Sequence, residues 1–135
     1  MEPFASPNPT SDFHSKWLHT LVEFALDGIV AMDARGRIMA FNPAAEKIFG
    51  YRRDQVIGFT VSEKLIPGSF QKSHESGLSH FLTTGNKDVI GRRVAVSAMR
   101  ADQSVFAAEL EVVSVNSGKS PVFVAYIRDI SEKNQ

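Results

Sequence analysis

The hydrophobic positions near the start of the chain recur at helical spacing. Trp17, Leu18 and Leu21 fall on one side of such a helix, and this apolar stripe predicts a helix over residues 15–26. Residues 1–14 before it are rich in Pro, Ser, Asn and Thr. A segment of that composition buries too little apolar surface to offset the entropy lost on ordering, so we expect a disordered tail there.

Five later runs have the period and composition of β-strands. The predicted strands cover residues 28–32, 37–41, 92–100, 105–113 and 121–129. In the fourth run Phe106 and Ala108 alternate with Glu109 and Glu111, which gives one apolar and one charged face. A sheet with one apolar face needs a covering layer, so the helical middle of the chain is expected to pack on it.

Glycine and proline positions divide the middle of the chain into short helices. The predicted helical segments cover residues 43–50, 52–57, 60–65 and 69–84. Asn42 before Pro43 is a favourable helix start, because the amide side chain can accept from free backbone N–H groups and proline at the first position loses no hydrogen bond. Gly85 ends the longest of these helices.

Composition limits the classes of function. The 135 residues, 43% of them hydrophobic, have the size of one domain, which we expect to span 15–135. The net charge of zero gives no field that would attract nucleic acid. No apolar run approaches the length of a membrane span, no signal peptide is evident, and there is no cysteine for disulfide or thiolate chemistry. These features predict a cytoplasmic protein with no nucleic-acid or membrane partner.

Three local motifs, taken with the order of elements, resemble the PAS sensory domain family. The motifs are FNPAAEKIFGY at 41–51, KLIPGSFQKSHESGLSHFLTTG at 64–85 and VFVAYIRDISEKNQ at 122–135. The resemblance implies an α+β fold, with a five-stranded antiparallel sheet of order 2-1-5-4-3. It implies short helices over one face and an N-terminal flanking helix. One departure is Gln103, which stands after Asp102 where the family usually has glycine, so the turn type there is expected to differ.

The resemblance also implies a role. PAS domains are sensory and dimerisation modules of bacterial signal-transduction proteins, including two-component systems and transcription regulators. They bind a small ligand or cofactor and relay its arrival to an attached effector such as a histidine kinase or a cyclic-dinucleotide enzyme. On this basis we expect a homodimer that catalyses nothing itself. The alternative is a ligand-free domain that binds a partner protein through its sheet.

His74 is the residue with the most specific chemistry. Phe70, Leu78 and Phe81 fall within about 40° of it around the predicted helix, so it faces the apolar side. The resemblance extends to haem-bearing PAS domains of bacterial oxygen sensors, in which a histidine of this helix binds the iron. Imidazole suits iron, and an apolar wall suits a porphyrin. The competing interpretation is a core histidine satisfied by hydrogen bonds.

These considerations define a candidate site. Its predicted cofactor-binding residues are His74, Phe70, Leu78, Val89, Val94, Leu110 and Val112. His74 would be an iron ligand only if haem b is bound, and flavin is the weaker candidate cofactor. The resemblance places His80 and Asp88 where relatives have basic partners for haem propionates, and Val94 where they have an arginine that steadies oxygen. A dry wall at Val94, Leu110 and Val112 would favour carbon monoxide, nitric oxide or redox sensing.

Other polar groups give no catalytic centre. Glu109 and Glu111 are two residues apart on the charged face of a strand, with no histidine or metal-binding partner near in sequence. Such pairs usually form a solvated or partner-facing surface. The sequence therefore predicts a binding module and not an enzyme.

Overall fold

The computed structural model describes residues 11–72, 74–75, 91–117 and 120–131. Four helices and five strands follow one another within these ranges. They are α1 (Ser11–Glu23), β1 (Gly28–Met32), β2 (Ile38–Phe41), α2 (Pro43–Phe49), α3 (Arg53–Val56), α4 (Val61–Leu65), β3 (Arg93–Met99), β4 (Val105–Ser117) and β5 (Ser120–Asp129). A further helical segment, which we call the His74 segment, comprises residues 68–72 and 74–75.

The five strands form one sheet in the order β2-β1-β5-β4-β3. Every neighbouring pair is antiparallel, and β4 and β5 form the central and longest ladder. The predicted fold class and strand order are therefore confirmed.

One face of the sheet, which we call the inner face, carries the core. Phe106 and Ala108 of β4 are 6% and 0% exposed, whereas Ala107 between them is exposed. Paired residues share a face, so the inner face continues through Ala98 on β3 and Ile127 on β5, both buried. The alternation in the sequence thus located the buried side of the sheet correctly.

Asn42 fastens two helices to the sheet. Its Oδ1 accepts from Ala45 N at 3.0 Å, which caps α2, and from Ile29 N at 2.8 Å. Its Nδ2 donates to Val22 O at 2.9 Å and to Asp27 O at 3.1 Å, which holds the end of α1. The predicted cap is confirmed, and the buried side chain also connects α1 to β1.

The first helix lies about one turn earlier than predicted. It covers Ser11–Glu23 instead of 15–26, so its first turn falls within the predicted tail. Ser11 and Asp12 follow the last proline and are good helix-starting residues, which the overall polarity of the tail obscured. The helix ends where Phe24 N and Ala25 N make their last helical hydrogen bonds, to Thr20 O and Val22 O.

The turn between β3 and β4 has a residue in the left-handed conformation that usually favours glycine, but here that residue is glutamine. Gln103 has φ of 73°, the one positive value found at a non-glycine residue in the described chain. Gln103 N donates to Arg100 O, and Arg100 N donates to Ser104 O. This is a type I turn followed by a left-handed residue, a common three-residue hairpin. The expected change of turn type is therefore wrong: glutamine replaces glycine at position 103, and the turn keeps its usual form.

Candidate functional site

The His74 segment follows α4 in the chain and is tied to the end of that helix. α4 contacts β3, and its Leu65 is 3% exposed within the core. Pro67 between them is buried, and its carbonyl accepts from Phe70 N at 2.8 Å. The Gln71 amide donates to Ile66 O at 3.0 Å, which ties the start of the segment to the end of α4.

The imidazole of His74 is half-buried, and one of its two nitrogens is shielded from solvent. Its Nδ1 is inaccessible to solvent, and no described residue donates to it or accepts from it. Burial lowers the pKa of His74 below its ordinary value of 6.5, and the Glu75 carboxylate opposes this only in part. The ring is therefore neutral at physiological pH, the form in which imidazole binds metals.

Three of the predicted site residues lie together on the inner face. Val94 of β3 pairs with Leu110 of β4, and Val112 follows two residues along β4. Ala125 of β5 pairs with Val112 and completes this surface. All four side chains are only partly buried, unlike Ala108 and Ile127 beside them. We call these four residues the apolar wall.

Ala125 was missed by the sequence prediction. Its signal was the alternation in the last strand, where Phe123, Ala125 and Ile127 share the inner face. Ala125 is a small residue between two larger ones on this face, and it packs against the core.

Three further predicted residues, Phe70, Leu78 and Val89, are not placed at the apolar wall by the described part of the chain. Phe70 is 49% exposed, so the described residues do not enclose its ring. Leu78 and Val89 lie outside the described residues, as do His80 and Asp88. Their roles stay predictions.

The carboxylates of Glu109 and Glu111 are on the outer face, as predicted. Arg93 lies between them, with N–O distances of 3.6 Å to Glu109 and 3.7 Å to Glu111. Half of this arginine remains exposed, so the pairs contribute little stability. Across the described residues no three histidine, aspartate or glutamate side chains converge as a metal site would require.

A second polar cluster, which the sequence did not reveal, joins the end of β5 to the core. Arg100 Nη2 lies 2.9 Å from Asp129 Oδ2, and its Nη1 donates to Ile48 O at 2.6 Å. The guanidinium lies 3.9 Å above the ring of Phe106. Asp129 Oδ1 accepts from the amide and the hydroxyl of Ser131. The last described residues are thereby held against α2 and β4.

Among the described residues, the helices are too short or too polar to span a lipid bilayer.

Several curated proteins are similar to this chain. A protein of Azorhizobium caulinodans, whose function is uncharacterised, is 40% identical over 84% of the chain and 15% of its own length. The sensor protein FixL of Bradyrhizobium diazoefficiens is 32% identical over 87% of the chain and 22% of its own length. The oxygen sensor protein DosP of Escherichia coli is 30% identical over 77% of the chain and 13% of its own length. The chain thus spans less than a quarter of each of these relatives.

Solved structures agree on the fold. The PAS domain of an HTR-like protein from Haloarcula marismortui superposes with a TM-score of 0.67 at 25% identity, over 87% of this chain and 93% of the other. A PAS domain from a two-component sensor histidine kinase superposes with a TM-score of 0.71 at 12% identity, over 89% and 99% of the two chains. The family model described as PAS domain matches residues 26–132. The chain belongs to the PAS domain family.

Proposed function

We propose that this PAS domain is the sensory module of a longer signal-transduction protein, and that it binds haem b between His74 and the apolar wall. The observation that carries this proposal is the half-buried, neutral imidazole of His74, whose solvent-inaccessible Nδ1 has no hydrogen-bond partner among the described residues. A buried polar atom without a partner costs about 1–3 kcal/mol. A metal bound at this nitrogen would give it a partner, so a bound group offers a reason for this arrangement.

The residues present fit haem in two respects. His74 would hold the iron as a neutral ligand, and the partly buried aliphatic side chains of the apolar wall would pack against the macrocycle. Haem supplies, when bound, an iron that takes up diatomic gases or changes oxidation state. The similarity to a protein of Escherichia coli named as an oxygen sensor supports a diatomic gas as the sensed molecule.

The proposal extends to what the module does. The domain itself is expected to sense and not to catalyse, and occupancy of the core would bias its packing against the terminal segments, where an effector would read the change. The similarity to a relative named as a sensor protein supports an attached signalling effector. A cytoplasmic location stays a prediction from the sequence.

Absorption spectroscopy tests the ligand. Purified protein reconstituted with haem should give a Soret band shifted from that of free haem, and H74A should lose the shift. H19A is the matched control, since the His19 side chain is 68% exposed on α1. A wild-type spectrum equal to that of free haem, or an H74A spectrum equal to that of the wild type, would contradict the proposal.

A second candidate function, homodimerisation, rests on a different observation. Apolar side chains at the end of α1 are left uncovered: Leu18 is 44% exposed, Leu21 is 53% exposed, and Phe24 after the helix is 78% exposed. Such a stripe is typical of a helix that packs against a partner, here proposed to be α1 of a second copy. This second candidate is compatible with the ligand-free alternative, in which the domain only binds a partner and no haem is bound at His74.

Sedimentation of the purified domain tests the dimer. L21E should be a monomer at concentrations where the wild type is a dimer. T20E adds the same charge at the neighbouring exposed position and should leave the dimer intact. A monomeric wild type would remove this candidate without affecting the haem proposal.

A further inference from the structure

The outer face of the sheet, opposite the inner face, carries an apolar patch. Val113 pairs with Val124 and Val115 pairs with Val122, so four valines form a two-by-two block toward one end of the β4–β5 ladder. Val115 is 47% exposed, and the other three are half-buried. We call these four residues the valine patch.

A shallow charged cleft adjoins the valine patch on the same face. It is lined by the side chains of Asp27, Arg93, Glu109, Glu111, Tyr126 and Arg128. Arg93 lies between Glu109 and Glu111, at 3.6 Å and 3.7 Å, and Arg128 lies 3.5 Å from Asp27. Three carboxylates thus share two guanidinium groups, so one negative charge in the cleft is not balanced by the residues that line it.

The first helix has features that match this surface. Leu21 is 53% exposed, and Phe24 after the helix is 78% exposed. Lys16, which is also exposed, is the one lysine or arginine in α1. It precedes Leu21 by five residues, or about 7.5 Å along a helix. Glu111 precedes Val113 by two residues, or about 6.8 Å along a strand, so a helix with Leu21 on Val113 would bring Lys16 to the row of Glu111.

The helix of the same chain leaves this surface uncovered. Asn42 Nδ2 donates to Val22 O and Asp27 O, which fixes the end of α1. With α1 held in this position, both Leu21 and Val115 stay exposed. The two apolar surfaces of one molecule are therefore free to meet those of another.

We propose that α1 of a second copy lies across the outer face, with its Leu21 on the valine patch and its Lys16 in the charged cleft. Twofold symmetry repeats these contacts, so both surfaces are covered in both molecules. The proposal rests on the homodimer given above as the second candidate function, and it retains the contact between the two α1 helices. At 100° per residue the apolar positions from Phe24 to Val22 span about 160° of the helix, which is wide enough for both contacts.

Charge reversal tests the position of Lys16. In sedimentation experiments K16E should raise the dissociation constant of the dimer about tenfold, because two attractive contacts per dimer become repulsive. E111K should have a similar effect. The double variant K16E/E111K restores opposite charges across the interface and should return to within about threefold of the wild type. K47E makes the same charge change at an exposed position of α2, a helix that packs on the core, and should leave the constant unchanged.

Disulfide cross-linking tests the docking itself, since the chain has no cysteine of its own. L21C protein mixed with size-tagged V113C protein should give a covalent mixed dimer under mild oxidation. A107C is the matched control, because Ala107 is exposed on the same face of β4 about 20 Å from Val113. The mixture of L21C and A107C should give no mixed dimer.

The outcomes are distinguishable. A K16E dimer as tight as the wild type, a double variant no tighter than the single variants, or L21C chains linked only to each other would overturn the proposal while the dimer stands, and would leave the outer face to a different partner. An internal disulfide in an L21C/V113C monomer would overturn it by showing that α1 covers its own sheet. A monomeric wild type would instead remove the second candidate function on which the proposal rests.

Discussion

The guanidinium of Arg100 bridges Asp129, at 2.9 Å, and the ring of Phe106, at 3.9 Å to the ring centre. Asp129 is the last residue of β5, and Phe106 lies in the core against Phe49. A single side chain therefore connects the end of the domain to the packing of the sheet and α2. The end of β5 is therefore coupled to the packing of the core.

Replacing Arg100 should lower stability. R100A removes the ion pair, the hydrogen bond to Ile48 O and the stacking on Phe106, and we expect a loss of about 2 kcal/mol in the free energy of unfolding. Urea denaturation measures this loss. R93A, which removes an arginine from two exposed pairs, should change stability by less than about 0.5 kcal/mol. Equal losses in the two variants would contradict the role of Arg100.

Stability should also depend on pH through Asp129. Burial alone would raise the pKa of this carboxyl, but the hydrogen bonds from Ser131 and the Arg100 guanidinium outweigh it and lower the pKa below its ordinary value of 3.8. A carboxyl with a lowered pKa in the folded state stabilises the fold above its unfolded pKa, and this contribution is lost as pH falls through the folded value. Wild type should therefore exceed D129N in stability at neutral pH, and the difference should shrink below pH 3.8. A difference independent of pH would argue against the charge of Asp129 as the cause.

The turn at Gln103 offers a stabilising substitution. A left-handed conformation costs an ordinary residue about 1 kcal/mol, a cost that glycine avoids. With φ of 73° at Gln103, Q103G should raise the free energy of unfolding by up to about 1 kcal/mol. Q103A removes the side chain without relieving the backbone, so it should give no such gain. Thermal unfolding of the three proteins decides, and a Q103G less stable than Q103A would show that the backbone is unstrained.

Asn42 allows the two ends of its amide to be tested separately. N42A leaves Ile29 N and Ala45 N without their acceptor in a buried position, and it should cost about 1–3 kcal/mol. N42D keeps the acceptor for α2 but loses the donor to Val22 O and Asp27 O. We expect N42D to make α1 much more susceptible to proteolysis while the core keeps most of its protection. Limited digestion measures the first effect and hydrogen exchange of the core amides measures the second. Equal protection of α1 in N42D and wild type would indicate that other contacts hold this helix.

Much of the fold could be predicted because its signals are local. The alternation around Phe106 and Ala108, the cap at Asn42 and the glycine at 50 each act over a few residues, and the structure has all three where they were expected. The strand order came from resemblance and could not have come from these signals, since the pairing of β1 with β5 joins residues about a hundred positions apart.

Less of the candidate site was predictable, for physical reasons. The helical period predicted that His74 faces the apolar side of its helix, which stays a prediction, whereas the absence of a partner for its Nδ1 among the described residues depends on packing in three dimensions. Arg100 reaches partners 29 and 52 positions away in the chain, and no local pattern marks it. Ala125 is a small residue whose importance depends on its larger neighbours. Gln103 adopts a backbone conformation that its residue type disfavours, so propensity indicated the wrong turn.

The most direct test of a haem held between His74 and the apolar wall is an NMR spectrum of methyl-labelled protein loaded with ferric haem. Paramagnetic broadening falls steeply with distance from the iron, so it distinguishes the two faces of one strand. We predict that the methyl signals of Leu110 and Val112 broaden strongly, while those of Val113 and Val115, on the outer face of β4, stay sharp. Equal broadening on both faces, or sharp signals throughout, would contradict binding at this site.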